Sequence, residues 1–261
     1  HSQPRASPEN PAMPSINTIR RTALLAGACA VALGAAACGR VINRTAERKI
    51  REALPAAIAP ARAYRVHVEN APLRSVAGKF ADVTIDGDDV QFPSGLLMDS
   101  LHVELKDVEI DTKRRTVRKI GDARFEITVS DANLDRYLAG AAPAGETIRK
   151  TRLTFADNNS VTVTGERVTL LNVAVPFRLT GPVRAANSTR IEIDPRRLVV
   201  AGIPLSGGVL SFFKSRIESS VDLRSVPVPM SLASVTTKRG SMTMSGSIDA
   251  AALLARAQSA K

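Results

Sequence analysis

Apolar and polar residues alternate along most of the chain from Tyr64 onward, and a period of two predicts β-strands. The clearest run lies near the end. Val226, Val228, Met230 and Leu232 share one face, with Pro227, Pro229 and Ser231 on the other. A polar turn follows at Lys238-Arg239-Gly240, and Met242, Met244 and Ile248 resume the alternation. Upstream, strands are predicted at Arg65–Glu69, at Phe80–Phe92 with a turn over Asp86-Gly87-Asp88-Asp89, at Leu101–Ile110 and at Phe125–Val129. The third of these slips phase by one residue at Lys106-Asp107, as a β-bulge would make it do. Leu153-Phe155 and Val161-Val163 flank a turn at Asp157-Asn158-Asn159. Val168–Leu179 reads as one long strand. Ile191 and Ile193 lead through Asp194-Pro195-Arg196-Arg197 to Leu198 and Val200.

Helical spacing appears in four places. Ile42, Ala46, Ile50, Leu54 and Ile58 predict a helix over Val41–Ala59, with Arg44, Glu47, Arg48, Lys49 and Arg51 on the opposite face and Pro55 near its end. Its narrow, Ala-rich stripe suits close packing on a sheet; the alternative is a helix lying flat on a membrane. Ser130-Asp131 should cap a short helix, Ala132–Leu138, stopped by Gly140. Gly207-Gly208 precedes a helix with Val209, Phe213, Ile217 and Val221 on one face, and Asp249 should cap a last helix reaching Ala257. About ten strands joined by short polar turns predict an α+β domain whose antiparallel sheet has one dry face and one wet face.

The first 40 residues differ in kind. Residues 1–12 are polar and read as an upstream extension of the reading frame, with Met13 the expected start. Arg20-Arg21 and the small, apolar run Thr22–Ala37 have the order of a secretory signal. The run is shorter and less apolar than a membrane span needs, so a retained anchor is the lesser alternative. Ala35-Ala36-Ala37-Cys38-Gly39 resembles a bacterial lipobox, in which the Cys is acylated after cleavage. Cys29 falls inside the signal, so Cys38 would be the exported chain's lone thiol, with no disulfide partner. An ordinary Ala-x-Ala cleavage remains open, as does twin-arginine export through Arg20-Arg21. The expected organisation is a signal over residues 13–37, a lipidated N-terminus and helix over 38–62, and a sheet-rich body over 63–261, the last two forming one domain.

Charge narrows the partners. With 36 Lys and Arg against 25 Asp and Glu, the net charge is +11. An exported basic protein points to anionic lipid surfaces. Nucleic acid is disfavoured, because Trp is absent and Phe plus Tyr total nine, leaving few stacking platforms. Lys113, Arg114, Arg115, Arg118 and Lys119 are the candidate head-group cations. No catalytic constellation stands out: His67 and His102 read as solvated strand residues, and no zinc set, cofactor motif or Gly-x-Ser-x-Gly elbow is present. Asp86, Asp88 and Asp89 read as turn chemistry rather than a calcium loop. Ser206-Gly207-Gly208 reads as a helix entry rather than a phosphate site. The expectation is therefore a non-enzyme without cofactor or metal. An oily sheet face must be covered, either completely by helices or in part, leaving an apolar groove. The candidate lining is Leu210, Phe212, Phe213, Val228, Met230, Leu232, Met242 and Met244.

Several runs in order carry a resemblance: LHVELKDVEID (Leu101–Asp111), ARFEITVSDANLDRYL (Ala123–Leu138), VPFRLTG (Val175–Gly181) and RIEIDPRRLVVAGIPL (Arg190–Leu205). The fullest is the Val221–Ile248 stretch, with its Asp-Leu, Pro-x-Pro, Leu-x-x-Val and closing Gly. Over residues 63 to 248 the chain resembles the LmeA-like family of phospholipid-binding bacterial envelope proteins. The resemblance implies a long, strongly curled antiparallel sheet wrapped around one or two helices, similar to tubular lipid-binding domains. It also implies non-catalytic handling or transport of envelope phospholipid. The competing expectation is a scaffolding lipoprotein with a filled core and a protein partner.

Overall fold

The computed structural model describes residues 39–69, 78–92, 95–111, 116–141, 148–168, 173–205, 221–222 and 229–259. Helix α1 (Gly39–Ala57) comes first, and its predicted stripe buries Ala46, Ile50 and Leu54. It packs along strand β1 (Ala61–Glu69). Asn43 Nδ2 donates to the Val68 carbonyl at 3.2 Å, and the Val68 N–H donates to Glu47 Oε1 at 3.0 Å. Helix side chains thus bond backbone groups that an edge strand would otherwise leave open to another chain.

Next come β2 (Lys79–Gln91), β3 (Leu97–Asp111), β4 (Thr116–Lys119) and β5 (Asp122–Ser130). Helix α2 (Asp131–Ala141) follows, and Ser130 Oγ accepts the Asn133 N–H at its start. Then β6 (Ile148–Ala156), β7 (Ser160–Val168), β8 (Ala174–Asn187), β9 (Arg190–Ile193), β10 (Arg197–Val200) and β11 (Ile203–Leu205) run in succession. The chain closes with β12 (Val221–Asp222), β13 (Met230–Lys238), β14 (Ser241–Ile248) and α3 (Ala250–Ser259). Asp249 Oδ1 accepts the Ala252 N–H at 2.9 Å, which is the cap expected for α3.

Among the described residues the strands form two antiparallel seven-stranded sheets. The first runs β1-β2-β3-β5-β14-β13, with β4 beside β3. The second runs β11-β10-β8-β7-β6, with β9 on the far half of β8 and β12 on β9. This corrects the expectation of one long, strongly curled sheet: there are two, and neither is curled. The ladder breaks at β13, whose outer edge meets turns of the second sheet instead of another strand. Leu232 N–H donates to the Ser188 carbonyl at 2.6 Å, and Thr237 N–H donates to Asn159 Oδ1 at 2.9 Å. Thr237 Oγ1 donates to the Ala156 carbonyl. Asn158 and Asn159 reach this position through positive φ values of 63° and 57°, which Asn tolerates. Behind the joint lies one core cluster. It takes Leu153, Phe155, Val161, Val183 and Ile191 from the second sheet together with first-sheet residues such as Phe125, Ile127 and Met244.

Other expectations shift locally. Asp86-Gly87-Asp88-Asp89 is not a turn; it lies inside β2, with Gly87 paired to Tyr64 on one side and Leu101 on the other. The cause is in the neighbouring strands. Arg65 bonds Asp88 at 2.5 and 2.9 Å, Arg62 bonds Asp89 at 2.6 Å, and His102 Nδ1 lies 2.7 Å from Asp86 Oδ1. A Cβ on Gly87 would stand 2.8 Å from the Tyr64 ring, so the glycine makes room for an aromatic side chain. The phase slip at Lys106-Asp107 is present, with Asp107 at φ 50°. The paired strand slips at the same level, between Phe80 and Val83. Val168–Leu179 is not one strand: β7 ends at Val168, and β8 runs from Ala174 to Asn187. Gly140 lies inside α2 rather than ending it, and Val221 sits in β12, paired with Ile191, rather than in a helix. β4 and β11 were not anticipated.

Two outcomes follow from this packing. At Gly181 a Cβ would stand 2.0 Å from the Asp194 carbonyl oxygen, where residues 194–196 are hydrogen-bonded across β8. Gly181→Ala should therefore destabilise by about 1–3 kcal/mol, read as a lower urea midpoint with normal refolded spectra. The His102 pKa is raised above 6.5, mainly by its hydrogen bond to Asp86, with Glu104 assisting and burial opposing. A raised folded-state value means the contribution is complete below about pH 6.5 and is lost as pH climbs through the folded-state pKa. His102→Gln should remove that slope from unfolding midpoints measured between about pH 5 and about pH 8.

Candidate lipid-binding surface

The second sheet presents two chemically different faces. On the inner face, Leu179 pairs with Val163 and with Leu198, so these residues share one side. Alternation carries that side outward along β8 through Phe177 and Val175 to Val173, and along β10–β11 through Val200 to Ile203 and Leu205. Exposure rises along the way. Leu179 and Leu198 are 1% and 0% exposed; Phe177, Val175, Val200 and Leu205 are half-buried; Val173 and Ile203 reach 55% and 63%. The β10–β11 turn, Ala201-Gly202, uses positive φ at both residues (49° and 82°) and brings Ile203 back beside Val200. A continuous apolar strip thus starts in the core and emerges at one end of the sheet.

The outer face is mixed. It forms an open groove of about 980 Å³ where Thr162, Thr164, Thr180, Arg178 and Arg197 stand beside Pro176, Phe177 and Val199. Lys150 and Glu166 close one side with a 3.0 Å ion pair, while Arg178 and Arg197 make no ion pair among the described residues. By register Arg167 shares the inner face with Val175, whereas Lys150, Arg152, Glu166 and Arg178 lie on the outer face. An acyl chain on the inner face would meet aliphatic carbon, and the outer groove offers hydroxyl and guanidinium donors.

The sequence-predicted lining falls elsewhere. Met230, Leu232, Met242 and Met244 are buried where β13 and β14 close the joint between the sheets, and they belong to the common core. With so little of each accessible, they touch protein rather than an open channel in this conformation. Val228, Leu210, Phe212 and Phe213 lie outside the described residues, as do Cys38, Lys113, Arg114, Arg115 and the Ser206-Gly207-Gly208 segment. Arg118 and Lys119 are exposed on β4; Lys119 borders a 330 Å³ depression with Lys79, Asp107 and Glu109, far in sequence and topology from the second sheet's apolar end. The signal for that end was present in the in-phase run Val173-Val175-Phe177-Leu179. Alternation places residues on a face, however, and cannot say how far along the strand the cover extends.

Among the described residues no helix is long and apolar enough to cross a membrane, and no group of His, Cys, Asp and Glu is arranged to hold a metal ion. The amphipathic second sheet is the candidate site among the described residues. The profile of the LmeA-like phospholipid-binding family matches residues 37–247, and the chain belongs to that family. Comparison with curated proteins and with solved structures returned no significant match.

Burial separates packing from ligand contact at the predicted Met positions. Met244→Asp places an unpaired carboxylate in the common core and should cost about 3–5 kcal/mol, seen as loss of the cooperative thermal transition before any lipid assay is run.

Proposed function

We propose that this protein is an exported, non-catalytic envelope lipoprotein that binds phospholipid on its second sheet and takes part in envelope lipid handling or transport. Acyl chains lie along the inner strip from Phe177 and Val200 outward, and the phosphate sits at that end of the sheet, where Arg167 shares the inner face with Val175. The carrying observation is the graded exposure of one apolar face, from full burial at Leu179 and Leu198 to open carbon at Val173 and Ile203. A folded protein ordinarily ends its oily face with its cover; here the face outruns it. Family membership supports phospholipid as the ligand class. Attachment through an acylated Cys38 and export by the residue 13–37 signal complete the reading and rest on the sequence pattern. Burial of Met230, Leu232, Met242 and Met244 within the common core supports packing for that part of the molecule, and we place the ligand on the second sheet.

Native mass spectrometry of protein exposed to phospholipid vesicles should show bound phospholipid at defined stoichiometry. Val175→Asp charges the half-buried strip and should cut lipid occupancy at least about tenfold while leaving the melting temperature within a few degrees. Protein that emerges lipid-free, or a Val175→Asp variant that keeps full occupancy, would contradict the assignment.

A further inference from the structure

The outer groove of the second sheet leaves its arginines without acids. On the first sheet, cations stand on neighbouring carboxylates: Arg65 on Asp88, Lys79 on Glu109 and Arg124 on Asp122. Farther along β8, Arg184 meets Glu192 at 3.3 Å. In the groove the pattern stops. Arg178 lies opposite Val199 and Arg197 opposite Thr180, so the two arginines are diagonal neighbours on adjacent strands of one face. Such positions are about 7–8 Å apart. Arg152 adds a third guanidinium on that face, across Thr164 from Arg178 and about two strand spacings, roughly 10 Å, away. All three are exposed, and none makes an ion pair among the described residues. Glu166, the carboxylate among the described lining residues, is already held by Lys150 at 3.0 Å. Like charges this close, with no acid between them, repel, and a bound anion removes that cost.

We propose that this groove is an anion site that takes a phosphate monoester or diester, on the face of the sheet opposite the apolar strip. The groups at its centre are donors. A guanidinium only donates, and its planar fork matches two phosphate oxygens. Thr162 Oγ1 and Thr180 Oγ1 bond to one another at 3.3 Å, so one hydroxyl hydrogen of the pair stays free for a ligand. Thr180 is directly opposite Arg197, which sets that hydroxyl beside a guanidinium. An acceptor-only group with negative charge completes this set, and phosphate oxygens are such a group. Pro176 and Val199 line the same groove and offer carbon to the organic part of an ester. The phosphate comes either from a soluble ester or from a lipid head group; the chemistry that holds it is the same. The site stands on outer-face geometry and charge and does not rest on the acyl-chain reading of the inner face.

Full-length protein is titrated calorimetrically with glycerol 3-phosphate and with inorganic phosphate, and its binding to phosphatidylglycerol vesicles is measured by sedimentation. Arg178→Gln combined with Arg197→Gln is compared with Arg184→Gln, an arginine on the same face of the same strand but outside the groove lining. The double variant should bind at least about tenfold more weakly, and Arg184→Gln should stay within about twofold of the parent protein. Saturable binding of glycerol 3-phosphate identifies a soluble ester as a sufficient ligand. Binding to the vesicles alone, lost in the double variant, identifies the head group. No binding in either arm would overturn the proposal, as would equal loss in the double variant and in Arg184→Gln, which would mean net charge without a site. Lipid occupancy by native mass spectrometry on the same variants separates the two readings. Phosphate binding without bound lipid leaves the anion site and refutes the carrier, and bound lipid without phosphate or vesicle dependence on Arg178 and Arg197 does the reverse.

Discussion

The fold depends on how β13 ends the first sheet. An antiparallel strand at an edge presents unpaired backbone groups, and here they are bonded to turns of a second sheet: Ser188 to Leu232, and Asn159 and Ala156 to Thr237. That choice stops the first ladder from continuing or curling. It also sets the second sheet against the joint, so Leu153, Phe155, Val161, Val183 and Ile191 share a core with the first sheet. The second sheet is buried near this contact and also at Leu179 and Leu198, which lie outside the common core cluster. From those positions its apolar face grows more exposed toward Val173 and Ile203.

Much of this was legible in the sequence wherever the signal is local. The α1 stripe, the Asp157–Asn159 turn, the Ser130 and Asp249 caps and the β13–β14 hairpin appear where periodicity and turn chemistry put them. Local chemistry misled at Asp86–Asp89. Four turn-forming residues sit in a strand because Arg62, Arg65 and His102 on neighbouring strands satisfy the carboxylates and the Tyr64 ring fills the space over Gly87. The division into two sheets was not legible, since it rests on hydrogen bonds joining residues some 80 positions apart in sequence, such as Thr237 and Asn159.

The candidate site shows the same limit from another side. Met230, Leu232, Met242 and Met244 were expected inside, and they are; pattern alone could not distinguish a lining from a packed core. The apolar strip of the second sheet was visible as alternation at Val173, Val175, Phe177 and Leu179, but its gradient of exposure is a tertiary property that alternation does not carry. Charge had the same ambiguity. The excess of Lys and Arg pointed to anionic lipid, yet only the strand pairing sets Arg167 on the inner face of the second sheet and Arg152 and Arg178 on the outer one.

The reading therefore turns on which surface an acyl chain touches. A phospholipid with a diazirine in its acyl chain, bound to the protein, irradiated and mapped by peptide mass spectrometry, answers this directly. Adducts concentrated on residues 173–177 and 200–205 are the predicted result. Adducts on Met230, Leu232, Met242 and Met244 with none on the second sheet would contradict it and return the ligand to the interior between β13 and β14.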